Sequence, residues 1–225
     1  MNSKGNMYSG VLTWNPLSGE CLHNCSYCSS KTFMRYPNFK KKYSGEPRLD
    51  EKAMLKNLGK GKTWFVVAQN DLFADNIPDV FIDRIIDHCK NYPHNHYMFQ
   101  SKNPKKMMRY TDKFEHLNCS FGTTIESNVN YPEIYQNSPP IQERIDGIFT
   151  IFENTFITCE PILQFNLSAL VELIKIAEVQ TVFIGSDSKN HHLPEPPKEK
   201  VLELIAELSK FTTVIEKTNL RRLTK

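Results

Sequence analysis

The sequence predicts an α/β fold in which parallel strands alternate with helices. Three observations lead to this prediction. Short apolar runs typical of buried strands recur along the whole chain, and segments with helical spacing of apolar residues lie between them. Polar residues follow each apolar run directly. The chain has 225 residues, which is enough for one domain with a substantial core.

Seven short runs rich in β-branched and aromatic residues predict the strands. They lie at about 9–14, 63–68, 96–100, 118–124, 155–159, 181–184 and 212–216. With the helices between them, they make six βα units and a seventh strand. Because a full eight-unit barrel usually needs about 250 residues, a partial (βα)6-type TIM barrel fits this length better.

Capping residues and apolar spacing predict the helices. Asp50 and Asn166 are suitable N-caps, and Pro104 is suited to a first helical turn. The predicted helices are 50–58, 79–90, one that opens at 104, 141–150, one that Asn166 caps, and 197–210. The stretch from the end of segment 21–28 to about residue 49 is predicted to be irregular. No linker or repeat interrupts the pattern, so we expect a single domain over 1–225.

The composition is typical of a globular protein, with 40% hydrophobic and 24% charged residues. No stretch approaches the roughly 18 consecutive apolar residues of a transmembrane helix, so we expect no contact with a membrane. The first residues lack the apolar core of a secretory signal. We therefore expect a cytoplasmic location, where cysteines stay reduced.

Three cysteines lie within eight residues, directly after the first predicted strand. The segment reads Cys21-Leu-His-Asn-Cys25-Ser-Tyr-Cys28. A disulfide would use only two of these thiols, and a closed metal site would need a fourth ligand. Three thiolates with one open position instead indicate an iron–sulfur cluster that binds another molecule at its free iron.

Two other interpretations of this loop are open. A zinc site could recruit His23, Cys159 or a more distant residue as its fourth ligand. Alternatively, the three cysteines could be unrelated buried thiols. For Cys89 and Cys119, as for Cys159, the apolar surroundings predict buried structural thiols.

The Cys-x3-Cys-x2-Cys spacing, with Tyr27 before the last cysteine, resembles the radical S-adenosylmethionine (SAM) superfamily. This resemblance implies that Cys21, Cys25 and Cys28 hold a [4Fe–4S] cluster and that SAM chelates its fourth iron. It also implies reductive cleavage of SAM to methionine and a 5′-deoxyadenosyl radical. An external electron donor of the flavodoxin or ferredoxin type is implied as well.

Further segments resemble a phage-associated and bacterial radical SAM family of unknown substrate. They are Thr13-Trp-Asn-Pro16, Asp71-Leu-Phe73, Lys102-Asn-Pro104, Glu160-Pro161 and Lys217. The resemblance runs through essentially the whole chain.

The resemblance also implies roles for polar residues at the strand ends. Asn70 and Asp71, after the second strand, are expected to meet the SAM amino group, although the usual Gly-Gly-Glu sequence is absent there. Thr123 and Glu126 are expected at the ribose or the carboxylate. Backbone at Gly185 is expected to approach the adenine, and Tyr27 to shield the cluster.

Lys102, Glu160 and Lys217 are candidate catalytic residues, because the ends of parallel strands converge on one site. A lysine there could bind a phosphate or the SAM carboxylate, or donate a proton or hydrogen. The alternative is a structural ion pair between Glu160 and one of the lysines.

The charge distribution indicates a partner. Residues 31–62 contain ten Lys or Arg against three Asp or Glu, whereas the rest of the chain has 18 against 22. A basic segment with Phe33, Tyr36, Phe39 and Tyr43 could bind a phosphate backbone and stack on bases. We therefore expect nucleic acid modification or repair. The alternatives are a peptide or metabolite as substrate, a metal- or cluster-stabilised nucleic-acid-binding module without catalysis, or a solvated lysine-rich surface.

Overall fold

The computed structural model describes residues 8, 10–149 and 154–225. Within this part of the chain, nine strands form two sheets. They are β1 Leu12–Trp14, β2 Leu17–Ser18, β3 Arg48–Leu49, β4 Thr63–Val66, β5 His96–Gln100, β6 Asn118–Thr124, β7 Thr155–Cys159, β8 Thr181–Ile184 and β9 Thr213–Glu216. The large sheet has the order β1-β4-β5-β6-β7-β8-β9 and every pairing in it is parallel. This confirms the predicted α/β partial barrel.

Helices connect the strands of the large sheet. They are α1 Ser29–Phe33, α2 Pro37–Tyr43, α3 Glu51–Met54, α4 Asp79–Lys90, α5 Pro104–Met107, α6 Pro132–Tyr135, α7 Ile141–Phe149, α8 Leu167–Ile176, α9 Lys198–Leu208 and α10 Arg221–Thr224. Two 3₁₀ helices span Met108–Phe114 and Thr218–Leu220. In the described part of the chain, no helix is both long and apolar enough to cross a membrane.

Several predicted boundaries differ from the structure. The region predicted as irregular contains α1, α2 and β3, and β3 pairs antiparallel with β2. The predicted helix 50–58 is correct only at its start, where the Asp50 side chain accepts a hydrogen bond from Ala53 N at 3.0 Å. Residue 9 of the first predicted strand and residue 150 of the predicted helix 141–150 lie outside the described residues.

The large sheet separates two apolar clusters, because successive side chains along a strand point to opposite faces. Tyr97 and Phe99 of β5 lie in the larger cluster, between the sheet and the helices. Met98, between them in sequence, packs with Phe65 and Phe156 on the other face. That second face is the inner face of the partial barrel, and it leads up to the carboxyl ends of the strands.

Gly122 of β6 makes room for an aromatic ring on this inner face. A Cβ atom at Gly122 would lie 2.2 Å from the Phe156 ring. We expect Gly122→Ala to lower the free energy of unfolding by about 1–3 kcal/mol through overpacking. Urea denaturation measures this loss, and Gly122→Ala/Phe156→Leu should recover part of it. Equal midpoints for wild type and Gly122→Ala would contradict the close packing.

Candidate active site

The cysteine loop lies beyond the carboxyl end of β1 and rests on the segment around α6. Ser26 N donates to Ile134 O at 3.0 Å, and Asn137 N donates to His23 O at 3.1 Å. Asn137 Nδ2 adds a hydrogen bond to Leu22 O at 3.0 Å. Because these bonds hold main-chain groups, they fix the path of the loop and not only one side chain.

The three loop cysteines are free thiols. Cys25 is buried, whereas Cys21 and Cys28 are partly exposed, and Cys25 Sγ lies 3.4 Å from Ser138 Oγ. Burial, with a contribution from the nearby Asp71 charge, raises the pKa of the Cys21 thiol to about 12. No group of three or more His, Cys, Asp or Glu side chains in the described residues is arranged to hold one metal ion. The cysteines that hold an iron–sulfur cluster bind different iron atoms, so their sulfur atoms do not need to converge on one point.

His23 and Cys159 were named as possible fourth ligands of a zinc ion, and the structure shows the contacts of both. His23 is buried and its Nε2 lies 2.8 Å from Asp71 Oδ2. Cys159 belongs to the apolar cluster on the helix side of the sheet. The structure therefore assigns His23 to a hydrogen bond and Cys159 to the core.

Asp71, after β4, ties three parts of the chain together. Its carboxylate accepts hydrogen bonds from Ser101 Oγ at 2.7 Å, Lys102 N at 2.8 Å and Phe73 N at 2.9 Å, besides its contact with His23. Burial raises the pKa of this carboxyl, but His23 and the hydrogen bonds outweigh burial and hold the pKa below its usual value. Asp71 is thus a buried, saturated acceptor that connects the cysteine loop to the residues after β5.

Asp71→Asn should lower the free energy of unfolding by about 1–3 kcal/mol, because the amide turns a donor towards buried N–H groups. The pKa of Asp71 is lower in the folded state than in the unfolded state. Its contribution to the free energy of unfolding is therefore complete above the unfolded-state pKa of about 3.9, and it is lost as the pH falls through the folded-state pKa. The stability difference between wild type and variant should therefore shrink below about pH 4. Denaturant titrations at several pH values measure it.

Asp87→Asn is the matched control for this substitution. Asp87 is exposed and pairs with Lys90 at 3.4 Å. Its replacement should change stability by less than about 0.5 kcal/mol. An Asp71 variant that behaves like this control would show that the hydrogen-bond network does not stabilise the loop.

A second buried network surrounds Glu126, which follows β6. Tyr27 Oη donates to Glu126 Oε1, Lys102 Nζ lies 3.3 Å from the same oxygen, and Arg144 Nη1 lies 2.8 Å from Oε2. Arg144 also donates to the main-chain oxygens of Thr124 at 3.0 Å and Pro139 at 2.7 Å. Lys102 Nζ lies 5.1 Å from the centre of the Tyr27 ring, which joins this network to the cysteine loop.

This network has more positive than negative charge. One carboxylate, Glu126, faces two buried cations, and Arg144 Nη2 has no hydrogen-bond partner among the described residues. Burial lowers the pKa of Lys102, but the neighbouring charges of Cys25 and Glu126 outweigh burial and raise it. Burial likewise raises the pKa of Glu126, and the two cations outweigh this and lower it. The surplus cation lies beside the cysteine loop and would be balanced by a further anion.

A third network lies at the ends of β7 and β9. Lys217 Nζ donates to Glu160, and Asn219 Nδ2 donates to Glu160 Oε1 at 2.6 Å. A Cβ atom at Gly185 would lie 2.8 Å from Glu160 Cδ, so this glycine gives the carboxylate its space. Burial lowers the pKa of Lys217 despite the opposing charge of Glu160. The predicted alternative of an ion pair at Glu160 is therefore what the structure contains.

Tyr8 lies beneath this ion pair on the inner face. Lys217 Nζ is 4.5 Å from the centre of the Tyr8 ring. The Tyr8 hydroxyl group donates to Gln100 Oε1 at 2.6 Å and lies 2.8 Å from Thr158 Oγ1. Gln100 Nε2 in turn donates to Thr124 Oγ1 at 2.8 Å. A polar layer therefore separates the aromatic floor of the barrel from the charged groups above it.

The predicted residues occupy different places in the structure. Lys102, Tyr27 and Glu126 meet beside the cysteine loop, whereas Glu160 and Lys217 pair with each other next to Gly185. Asn70 supports the loop, since its Nδ2 donates to Gly19 O at 2.9 Å and its Oδ1 accepts from Asp71 N. Thr123 is fully buried, and by strand alternation it lies on the helix side with Phe121. Thr124 takes the inner face.

Sequence reasoning missed Arg144 and Tyr8. Arg144 stands on the same helical face as Ile141, Ile145 and Ile148, so a charged residue within an apolar stripe was the available signal. Tyr8 gave no signal, because no periodic element contains it. His23 was considered only as a zinc ligand, whereas its structural partner is Asp71.

The sequence of residues 9–207 matches a family model described as "Protein of unknown function (DUF5131)". The chain belongs to the DUF5131 family. No protein with a curated description matches its sequence. The family assignment covers the cysteine loop and all three networks except Lys217, Asn219 and Tyr8.

Solved structures of spore photoproduct lyase share the fold. One, complexed with dinucleoside spore photoproduct, has a TM-score of 0.54 at 11% identity and matches 87% of this chain and 60% of that chain. A variant with bound AdoMet and the same dinucleoside has a TM-score of 0.57 at 12% identity, and it matches 88% of this chain and 61% of that chain. A further variant has a TM-score of 0.57 at 13% identity, and it matches 94% of this chain and 64% of that chain. This chain thus spans about three fifths of the length of those proteins, which are radical SAM enzymes.

Proposed function

We propose that this chain is a radical SAM enzyme whose [4Fe–4S] cluster is held by Cys21, Cys25 and Cys28. One observation carries the proposal. Three free thiols lie on a loop at the carboxyl end of a parallel sheet, beside a buried network with surplus positive charge. The donor set fits the cofactor, because three thiolates complete three of four iron sites and leave one open.

The residues around the loop would serve the cofactor electrostatically. Thiols must lose their protons to bind iron, and the cations Lys102 and Arg144 favour the resulting negative charge. Asp71 and His23 hold the loop in place, and Tyr27 covers it. The cluster, when bound, would provide the one-electron chemistry for reductive cleavage of SAM to methionine and a 5′-deoxyadenosyl radical. An external donor of the flavodoxin or ferredoxin type would supply that electron.

The SAM carboxylate is the anion that we assign to the Lys102 and Arg144 side. Arg144 Nη2 supports this assignment, since it is a buried donor without a partner in the described residues. Asn70 and Asp71 are engaged in hydrogen bonds with the loop and its neighbours, so we assign them to support of the loop. The six free thiols fit a reducing compartment, and we infer a cytoplasmic location.

Glu160 and Lys217 form the substrate side in this proposal. Burial lowers the pKa of Lys217, which prepares its Nζ to give up a proton. Nucleic acid is the substrate class that we propose. The basic segment supports it, and a spore photoproduct lyase of the same fold is known in complex with a dinucleoside.

Anaerobic reconstitution tests the proposed function. The chain would be loaded with iron and sulfide, reduced chemically in the presence of SAM, and assayed for 5′-deoxyadenosine. We expect a cluster of four irons per chain and release of the nucleoside. A chain that takes up only stoichiometric zinc and leaves SAM intact would contradict the proposal and favour a metal-stabilised binding module.

A further inference from the structure

Two partly exposed aromatic rings lie on the segment that follows the cysteine loop. Phe33, the last residue of α1, and Tyr36, which precedes α2, stack with ring centres 6.5 Å apart and an interplanar angle of 28°. Tyr36 is 49% exposed, although tyrosine rings are usually largely covered. Phe33 also contacts Phe39 at 5.5 Å, and Phe39 contacts the buried Tyr43 at 4.4 Å. The exposed pair is therefore anchored to the core by a row of rings.

Cations surround these two rings. The Arg35 guanidinium lies 4.9 Å from the centre of the Tyr36 ring, and Lys189 Nζ lies 5.4 Å from the centre of the Phe33 ring. Lys40 and Lys41 are exposed on α2. Residues 29–48 contain six Lys or Arg and one Glu. Among the ion pairs of the described residues, none includes Lys40, Lys41 or Lys189.

The structure divides the basic segment 31–62 between two ends of the sheet. Lys56, Lys60 and Lys62 precede β4 and therefore lie towards its amino end. Lys56 and Lys62 contact the Trp64 ring there, at 4.5 and 6.0 Å. The cations up to Arg48 instead belong to the segment that follows the cysteine loop. One surface of limited size thus combines rings and positive charge on the side of the proposed active site.

Lys189 connects this surface to a cavity of about 640 Å³. Its lining includes Ser188, Lys189, Asn190, Thr218 and Asn219. Asn219 donates to Glu160, so the wall of the cavity reaches the ion pair of Glu160 with Lys217. Its volume is in the range of small-ligand sites, and its hydroxyl and amide groups suit the edges of a base or a sugar.

We infer that Phe33, Tyr36, Lys40, Lys41 and Lys189 form a binding surface for unpaired nucleic acid, with one nucleotide directed into the cavity. This inference rests on the proposed function and specifies its substrate. The exposed Tyr36 ring favours bases over an acidic peptide, because every base can stack on an aromatic ring. It also favours a single strand over a duplex, because the bases of a duplex are already stacked on one another.

Equilibrium binding of a fluorescent oligothymidylate to the reconstituted 225-residue chain tests this inference. Tyr36→Ala should weaken binding by about 5- to 150-fold, which is the usual effect of losing one stacked base. Lys40→Gln/Lys41→Gln should reduce the slope of log affinity against log salt by about 1.4, since each phosphate contact on a single strand contributes about 0.7. The matched control is Lys60→Gln/Lys175→Gln, which removes the same charge from exposed positions elsewhere and should leave the slope unchanged.

Three results would overturn the inference. Unchanged affinity in Tyr36→Ala, equal binding of a duplex, or equally effective competition by polyglutamate would each exclude a stacking surface for a single strand. SAM cleavage by the same preparations is measured separately. A chain that cleaves SAM while Tyr36→Ala binds normally overturns only the surface. Loss of affinity in Tyr36→Ala in a chain that never cleaves SAM supports the surface and overturns the enzyme proposal.

Discussion

Replacement of Cys25 by alanine is expected to abolish both the iron–sulfur absorbance of the reconstituted chain and its release of 5′-deoxyadenosine. Cys25 is the buried member of the three loop thiols and lies close to Lys102, whose pKa it raises. Two remaining thiols cannot complete a site that requires three protein ligands. Iron and sulfide content, the absorbance spectrum and nucleoside yield together measure the loss.

Cys119→Ala is the matched control for this experiment. Cys119 is also a free, buried thiol, but it lies on β6 in the apolar cluster on the helix side. Its replacement should keep full iron content and nucleoside yield, at the cost of a small cavity. Full iron loading in Cys25→Ala would show that another residue completes the site, and the assignment of the three ligands would then be wrong.

The strands were predictable because parallel strands are buried on both faces. Such strands read as continuous apolar runs, and the polar residues at their ends mark where each one stops. The helix predicted over 50–58 ends at Met54, and the chain instead forms a turn in which Asn57 Oδ1 accepts from Gly59 N. Helices α1 and α2 were missed because five and seven residues are too few for a clear apolar period.

In the candidate site too, features formed by sequence neighbours were predictable and contacts between distant residues were not. Close spacing within one loop made the three cysteines recognisable, since their sequence neighbours are also their spatial neighbours. The partners of the other residues are far away along the chain: Tyr8 contacts Thr158 across 150 residues, and Tyr27 contacts Glu126 across 99. The sequence predicts one cavity for Lys102, Glu160 and Lys217, but it gave no sign of the contact between Lys102 and Glu126.

Replacement of Glu126 by glutamine should have the largest effect on stability. The side chains of Glu126 and Arg144 are fully buried, and that of Lys102 is 13% exposed. Glutamine preserves the shape but removes the only carboxylate that contacts these two cations in the described residues. Because an uncompensated buried charge is costly, we expect the free energy of unfolding to fall by about 3–5 kcal/mol. Urea denaturation of the iron-free chain measures this without interference from a cofactor.

Glu207→Gln makes the same chemical change in an exposed pair, since Glu207 contacts Lys210 three residues later on the surface. That control should lose no more than about 1 kcal/mol. In a double-mutant cycle, Glu126→Gln/Lys102→Met should be more stable than the sum of the two single effects predicts, by about 0.5–3 kcal/mol. The reason is that the second substitution removes one of the two cations that have lost their carboxylate partner. Additive effects would mean that the two side chains do not interact. The surplus charge at Arg144 would then have to be compensated from elsewhere, and Lys102 would lose its assignment to the SAM carboxylate.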